Sequence, residues 1–84
     1  MKLYEKVDTI RTKDEFIGFI KQLKKDRNDK PEEWENADIQ SYLAGISSWI
    51  DDMEGYYKNI GKNVPNNIDW SFIATLFYVG KIYE

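Results

Sequence analysis

Between residues 39 and 53 the large apolar side chains fall at Ile39, Tyr42, Leu43, Ile46, Trp49, Ile50 and Met53. Steps of three and four suit one face of an α-helix, whereas a half-buried strand would need apolar residues at every second position. The spacing therefore predicts a helix over 37–54. Asn36 is a favourable N-cap for it, Asp38 falls in its first turn, and Gly55 stands where a left-handed residue would end it.

Two further helices follow from the same reasoning. Thr12 and Glu15 form the pattern of a capping box, and Phe16, Phe19, Ile20 and Leu23 recur on one face before Pro31 stops the chain, which predicts a helix over 13–28. Its acids, Asp14 and Glu15, come first and its bases, Lys24, Lys25 and Arg27, come last, as the helix dipole favours. Asp69 can cap a third helix over 70–83. There Trp70, Ile73 and Phe77 lie on one side, Phe72, Leu76, Val79 and Tyr83 on another, and Tyr78 and Ile82 fill much of the rest. A helix apolar nearly all round belongs in the middle of a structure. Gly61, Pro65, Asn66 and Asn67 mark the 55–69 stretch as a long loop, and the first ten residues are expected to lie extended across one end. The expectation is one all-α domain over 1–84, a compact bundle of three main helices.

A chain of 84 residues buries only about 60% of the surface that its unfolded form exposes, so it needs bulky core groups. Three Trp, six Tyr and four Phe supply them. With no Cys and no His, disulfide staples, thiolate nucleophiles, histidine general bases and Cys/His metal sites are all excluded. The first ten residues lack the apolar centre of a signal peptide, and no run approaches the roughly 18 apolar residues of a membrane span. A cytoplasmic location, with no membrane association, is the expectation.

The net charge of −3 hides an uneven distribution. Residues 1–30 carry nine bases against six acids, whereas residues 31–57 carry seven acids and no base. Three of these acids, Asp51, Asp52 and Glu54, stand close together, but on a helix they point along different lines, and the spacing before Gly55 is not that of a calcium loop. No metal or cofactor is expected. Serines without a histidine, and glycines that build no phosphate loop, give an enzyme no support. The basic run at the end of the first helix is broken by Asp26 and Asp29 and followed at once by the acidic third, which argues against nucleic acid.

Surfaces remain as the means of action. On the side of the second helix away from its apolar face, Ser41, Ala44, Gly45 and Ser48 form a stripe of small residues. Gly45 costs about 1 kcal/mol in mid-helix, which suggests a close approach by something. Another part of this chain, such as the 56–68 loop, is the simpler cover; a partner or a second copy is the functional alternative. Trp34, in an acidic connection, is either a lid on the core or an exposed anchor.

The order F-I-x-F-I-x-x-L (16–23), W-E-N (34–36), Y-L (42–43), W-I-x-D (49–52), G-Y-Y (55–57), then Trp70 and a final Y-E (83–84) resembles a family of small bacterial proteins catalogued only as a domain of unknown function. The resemblance covers nearly the whole chain. It implies a small single-domain bacterial protein and supplies no activity or functional residues. From the residues themselves, the leading expectation is a non-enzymatic interaction module whose acidic face meets a basic protein, in one version as an immunity-type inhibitor. Its candidate interface comprises Trp34, Ser41, Gly45, Ser48, Asp51, Asp52, Glu54, Tyr56 and Tyr57. The alternatives are a small-ligand binder or enzyme using a carboxylate in an aromatic pocket, and a structural homodimer built on the small-residue stripe.

Overall fold

The computed structural model describes residues 2–83, so Glu84 of the terminal Y-E pair lies outside the described residues. The chain forms α1 (Leu3–Lys6), α2 (Lys13–Asp29), α3 (Ile39–Asn59) and α4 (Trp70–Ile82), with 3-10 turns at Val7–Thr9 and Pro31–Glu33 and no strand among the described residues. An all-α architecture with three main helices is therefore what the apolar spacing predicts. Among the described residues no helix is long and apolar enough to cross a membrane.

Each long helix starts on a side-chain cap. The Thr12 hydroxyl accepts from the Glu15 N–H at 3.1 Å, and Asp69 accepts from the Phe72 N–H at 2.8 Å. The Glu15 carboxylate reaches back to the N–H of Arg11, at 2.8 Å, rather than to that of Thr12, so only half of the predicted box forms. At α3 the cap is Asp38 and not Asn36: Asp38 accepts from the Ser41 N–H at 2.8 Å and from its hydroxyl at 3.1 Å. Asn36 is buried and bonded elsewhere.

The C-terminus of α3 also departs from expectation. The helix runs through Gly55 and carries Tyr56 and Tyr57, whose rings pack on Trp49 at 5.5 and 6.1 Å between centroids. It stops at Asn59, and two residues on stands Gly61, the one glycine at positive φ (72°) among the described residues. There the Gly61 N–H donates to the Lys58 carbonyl at 3.2 Å and the Lys62 N–H to that of Tyr57 at 2.9 Å, the paired bonds of a Schellman cap. The loop therefore begins near residue 60 instead of 55. Gly55→Ala, with open space at its Cβ position, should stabilise the protein by about 0.5–1 kcal/mol. Gly61→Ala should destabilise it by about 1–2 kcal/mol. Urea unfolding of the two variants beside the parent checks both signs.

Residues 3–9 are helical and not extended. Leu3, Val7 and Ile10 have the i, i+4, i+7 spacing of a helix, and Val7 and Ile10 enter the core with Phe19, Leu23 and Ala74. The Ser71 hydroxyl fastens this segment by donating to the Val7 carbonyl at 2.7 Å. As expected, α4 lies in the middle: α2, α3 and the N-terminal turns all pack on it, while α2 and α3 scarcely touch.

How α3 meets α4 decides what is left outside. Gly45 and Trp49 are the fully buried residues of α3, and the Tyr42 hydroxyl donates to the Phe77 carbonyl at 2.6 Å. A Cβ on Gly45 would lie 2.5 Å from the Tyr83 carbonyl oxygen, and one on Gly80 would lie 2.8 Å from the Tyr42 ring. Two glycines thus let the helices approach closely. The edge of the apolar stripe next to the small residues is what faces the core, and the rest of the stripe turns outward.

Candidate functional site

The helix rotation exposes a ridge along α3. Ile39 is 68% exposed, Leu43 57% and Ile50 43%, and at steps of four and seven residues they line one side of the helix. Asp51 and Glu54, both exposed, flank the C-terminal end of this ridge. Asp52 is turned away: its carboxylate accepts from the Tyr83 hydroxyl at 2.5 Å, a bond that, with burial and the nearby acids, raises the pKa of Tyr83. Among the described residues no three acidic side chains converge on a point able to hold a metal ion.

Beside the ridge, in the gap between α2 and α3, lies a cleft of about 320 Å³. Ile20 and Leu23 form one wall, Ile39 and Tyr42 the other, and Phe77 of α4 lies between them. Phe16, Trp70 and Phe77 continue this apolar surface along α4, with ring centroids 5.4 Å (Phe16–Trp70) and 5.8 Å (Phe16–Phe77) apart. Lys24 and Arg27 stand at the α2 side. Arg27 is held in place by a 3.1 Å bond from its Nη2 to the Ala37 carbonyl and by the Trp34 ring, 6.0 Å away.

The sequence-derived candidates separate into groups. Within the small-residue stripe Gly45 is buried against the C-terminal end of α4 while Ala44 is exposed, and the cover over Gly45 is α4 and not the 56–68 loop. Ser41 is half-buried and serves the Asp38 cap, and Ser48 is half-buried. Trp34 is folded onto the protein: it stacks on Tyr42 at 5.9 Å and its Nε1 donates to Asp26 at 2.9 Å. Tyr56 and Tyr57 line, with Tyr4, Trp49, Tyr78 and Tyr83, an aromatic cavity of about 270 Å³ on another part of the surface. The carboxylate there is Asp8 rather than Asp52 or Glu54. Burial, followed by Tyr56, Asp69 and Asp8, pushes the Tyr57 hydroxyl above its ordinary pKa.

Ile39, Leu43 and Ile50 escaped the sequence reading because an apolar helical stripe is ordinarily a core stripe. A signal was present. Counted with Tyr42, Trp49 and the glycine needed for close approach, the apolar arc of α3 is wider than a single neighbouring helix can cover.

Neither a curated protein nor a solved structure matches this chain. A family model does match, over residues 12–84, and its span takes in α2, α3, α4, the cleft and the ridge while leaving out α1. With the greater part of its length matched, the chain belongs to a family described as Family of unknown function (DUF7660).

Proposed function

We propose that the protein is a non-enzymatic interaction module that docks a basic partner on the α3 ridge. The observation that carries this reading is the exposure of Ile39, Leu43 and Ile50 along one side of a single helix, with no part of the described chain over them. Isolated apolar residues on a surface are ordinary, but an aligned row rimmed by charge marks a contact surface. The rim is acidic. Asp51 and Glu54 belong to a stretch, residues 31–57, that carries no base at all, so a partner with lysines or arginines around an apolar patch would be attracted quickly and in a salt-sensitive way. An immunity-type inhibitor, presenting carboxylates where a nuclease toxin would hold phosphates, is one form that such a module takes.

The test uses the intact protein and its Leu43→Asp and Asp51→Lys/Glu54→Lys variants as baits in extracts of its own cells. A basic protein retained by the parent should fall at least tenfold with Leu43→Asp, a loss of about 1.4 kcal/mol or more. It should also fall with the charge reversal and with added salt, and the purified pair should shift the amide signals of Leu43 and Ile50. Equal retention by all three baits would overturn the reading. Self-association in sedimentation, abolished by Leu43→Asp, would replace the foreign partner with a second copy.

A further inference from the structure

The cleft between α2 and α3 adjoins the ridge and shares Ile39 with it, but its polar groups point to a different kind of occupant. Its surface is chiefly apolar, and its volume, about 320 Å³, falls at the lower end of small-ligand sites. Nearly every polar group around it already has a partner. The Tyr42 hydroxyl is used on Phe77, the Asn36 amide on the Gly80 and Tyr83 carbonyls, and the Trp34 indole on Asp26. Asp38 is used on Ser41 and the Ala37 carbonyl on Arg27. Bonds from the Ser41 backbone and hydroxyl hold the Asp38 carboxyl below its ordinary pKa.

What is left over is chiefly cationic, Lys24 and Arg27 standing against the single carboxylate of Asp38. The ion pairs among the described residues join Lys25 to Asp29, and Lys81 to Asp26 and Glu33. Lys24 and Arg27 have no acidic partner there. Arg27 in addition is half-buried and fixed by Ala37 and Trp34, which leaves most of its N–H donors free beside an apolar cavity. A guanidinium fixed in this way loses little freedom on meeting a carboxylate.

We infer that the cleft binds a small amphipathic acid, with an alkyl or aryl body between Ile20, Leu23, Tyr42 and Phe77 and a carboxylate on Arg27 and Lys24. The chemistry requires both parts. A neutral apolar molecule would leave the two cations unanswered, and a hydrophilic acid would leave the apolar walls exposed. A cationic amphiphile would meet two cations against one carboxylate, Asp38, and would be disfavoured.

Octanoate, octanol and octylammonium, each below its micelle concentration, form the probe set, with amide and indole NMR shifts as the readout on the full chain. Octanoate should shift Ile20, Ile39, Phe77 and the Trp34 indole, and octanol should bind about tenfold or more weakly, as loss of a charge-assisted contact implies. Octylammonium should be weakest. Arg27→Gln should weaken octanoate at least tenfold and Lys24→Gln severalfold, while neither changes octanol. Lys24 is exposed and makes no hydrogen bond or ion pair among the described residues, so its variant keeps the test valid if Arg27→Gln unfolds. Octanol binding as tightly as octanoate, shifts confined to Leu43 and Ile50 or to the aromatic cavity, or no shift in the millimolar range would overturn the assignment. So would tighter binding of an acidic peptide ending in leucine, since a protein segment would then be the occupant.

Discussion

Gly45→Ala is expected to destabilise the protein by about 2–3 kcal/mol, the upper part of the range for inserting a methyl where nothing can yield. Its Cβ would fall 2.5 Å from the Tyr83 carbonyl oxygen and 2.7 Å from the Asn36 side-chain nitrogen. Neither atom is free to retreat. The Asn36 amide donates to the Gly80 carbonyl at 3.0 Å and to that of Tyr83 at 2.6 Å, and the Glu35 and Asn36 N–H groups both donate to the Lys81 carbonyl, at 3.1 and 3.2 Å. The connection before α3 thus caps the C-terminus of α4, whose last carbonyls would otherwise be left without partners. Asn36→Ala should cost a similar amount by orphaning the Gly80 and Tyr83 carbonyls. Because the two changes strike the same few atoms, the double variant should cost clearly less than the sum of the singles. Urea unfolding of the four proteins measures this, and on heating each kcal/mol corresponds to about 4–8 °C in a chain of this size. Additive effects, or a neutral Gly45→Ala, would show that α3 and α4 do not meet as described.

The same atoms explain why one part of the fold was legible in the sequence and another was not. Helix existence rests on spacing within a few residues, so the row from Ile39 to Met53 and the caps at Thr12 and Asp69 could be read directly. The assignment of Asn36 failed because its local context, a polar residue just ahead of an apolar run, suits an N-cap equally well. Its true partners lie 44 and 47 residues away in sequence. Gly55 failed for a related reason: a glycine ends a helix only if nothing downstream holds the helix together, and Tyr56 and Tyr57 do so through Trp49. Which arc of α3 turns inward depends on two glycines, Gly45 and Gly80, meeting across helices. Spacing along one helix contains no such information. The acidic edge of the candidate surface was visible from composition, whereas its apolar ridge was hidden by the rule that assigns apolar stripes to cores.

Removing Asp26 is the second change with a large expected effect, and it makes stability depend on acid in a defined way. Lys81 is a buried lysine, and its ammonium meets the Asp26 carboxylate at 2.8 Å, with Glu33 a more distant 4.0 Å away. Trp34 donates to the same Asp26 oxygen and lies 5.8 Å below the ammonium. Burial alone would push the Asp26 carboxyl up. The bonds from Lys81 and Trp34, with the charges of Lys81 and Lys30, outweigh it and hold the carboxyl below its ordinary 3.8. A depressed pKa in the folded state means that the unfolded state takes up the proton first on acidification. The contribution of Asp26 is therefore complete above about pH 4 and lost as pH falls through the lower, folded value. Asp26→Asn should cost about 3 kcal/mol at neutral pH by leaving the Lys81 ammonium buried without its main counter-charge. The gap between variant and parent should close as the solution is taken below pH 4 and the parent loses the same interaction. Asp26→Leu/Lys81→Met, which removes both charges together, should recover most of the loss, since a buried pair replaced by apolar groups of similar size is often close to neutral. Asp38→Asn is the control for acid sensitivity, because that carboxyl is also held low, by Ser41, but faces solvent and pairs with no buried base. A gap between Asp26→Asn and the parent that stayed constant from pH 7 to pH 2 would mean that the charge of Asp26 contributes nothing and that only the shape of the side chain matters.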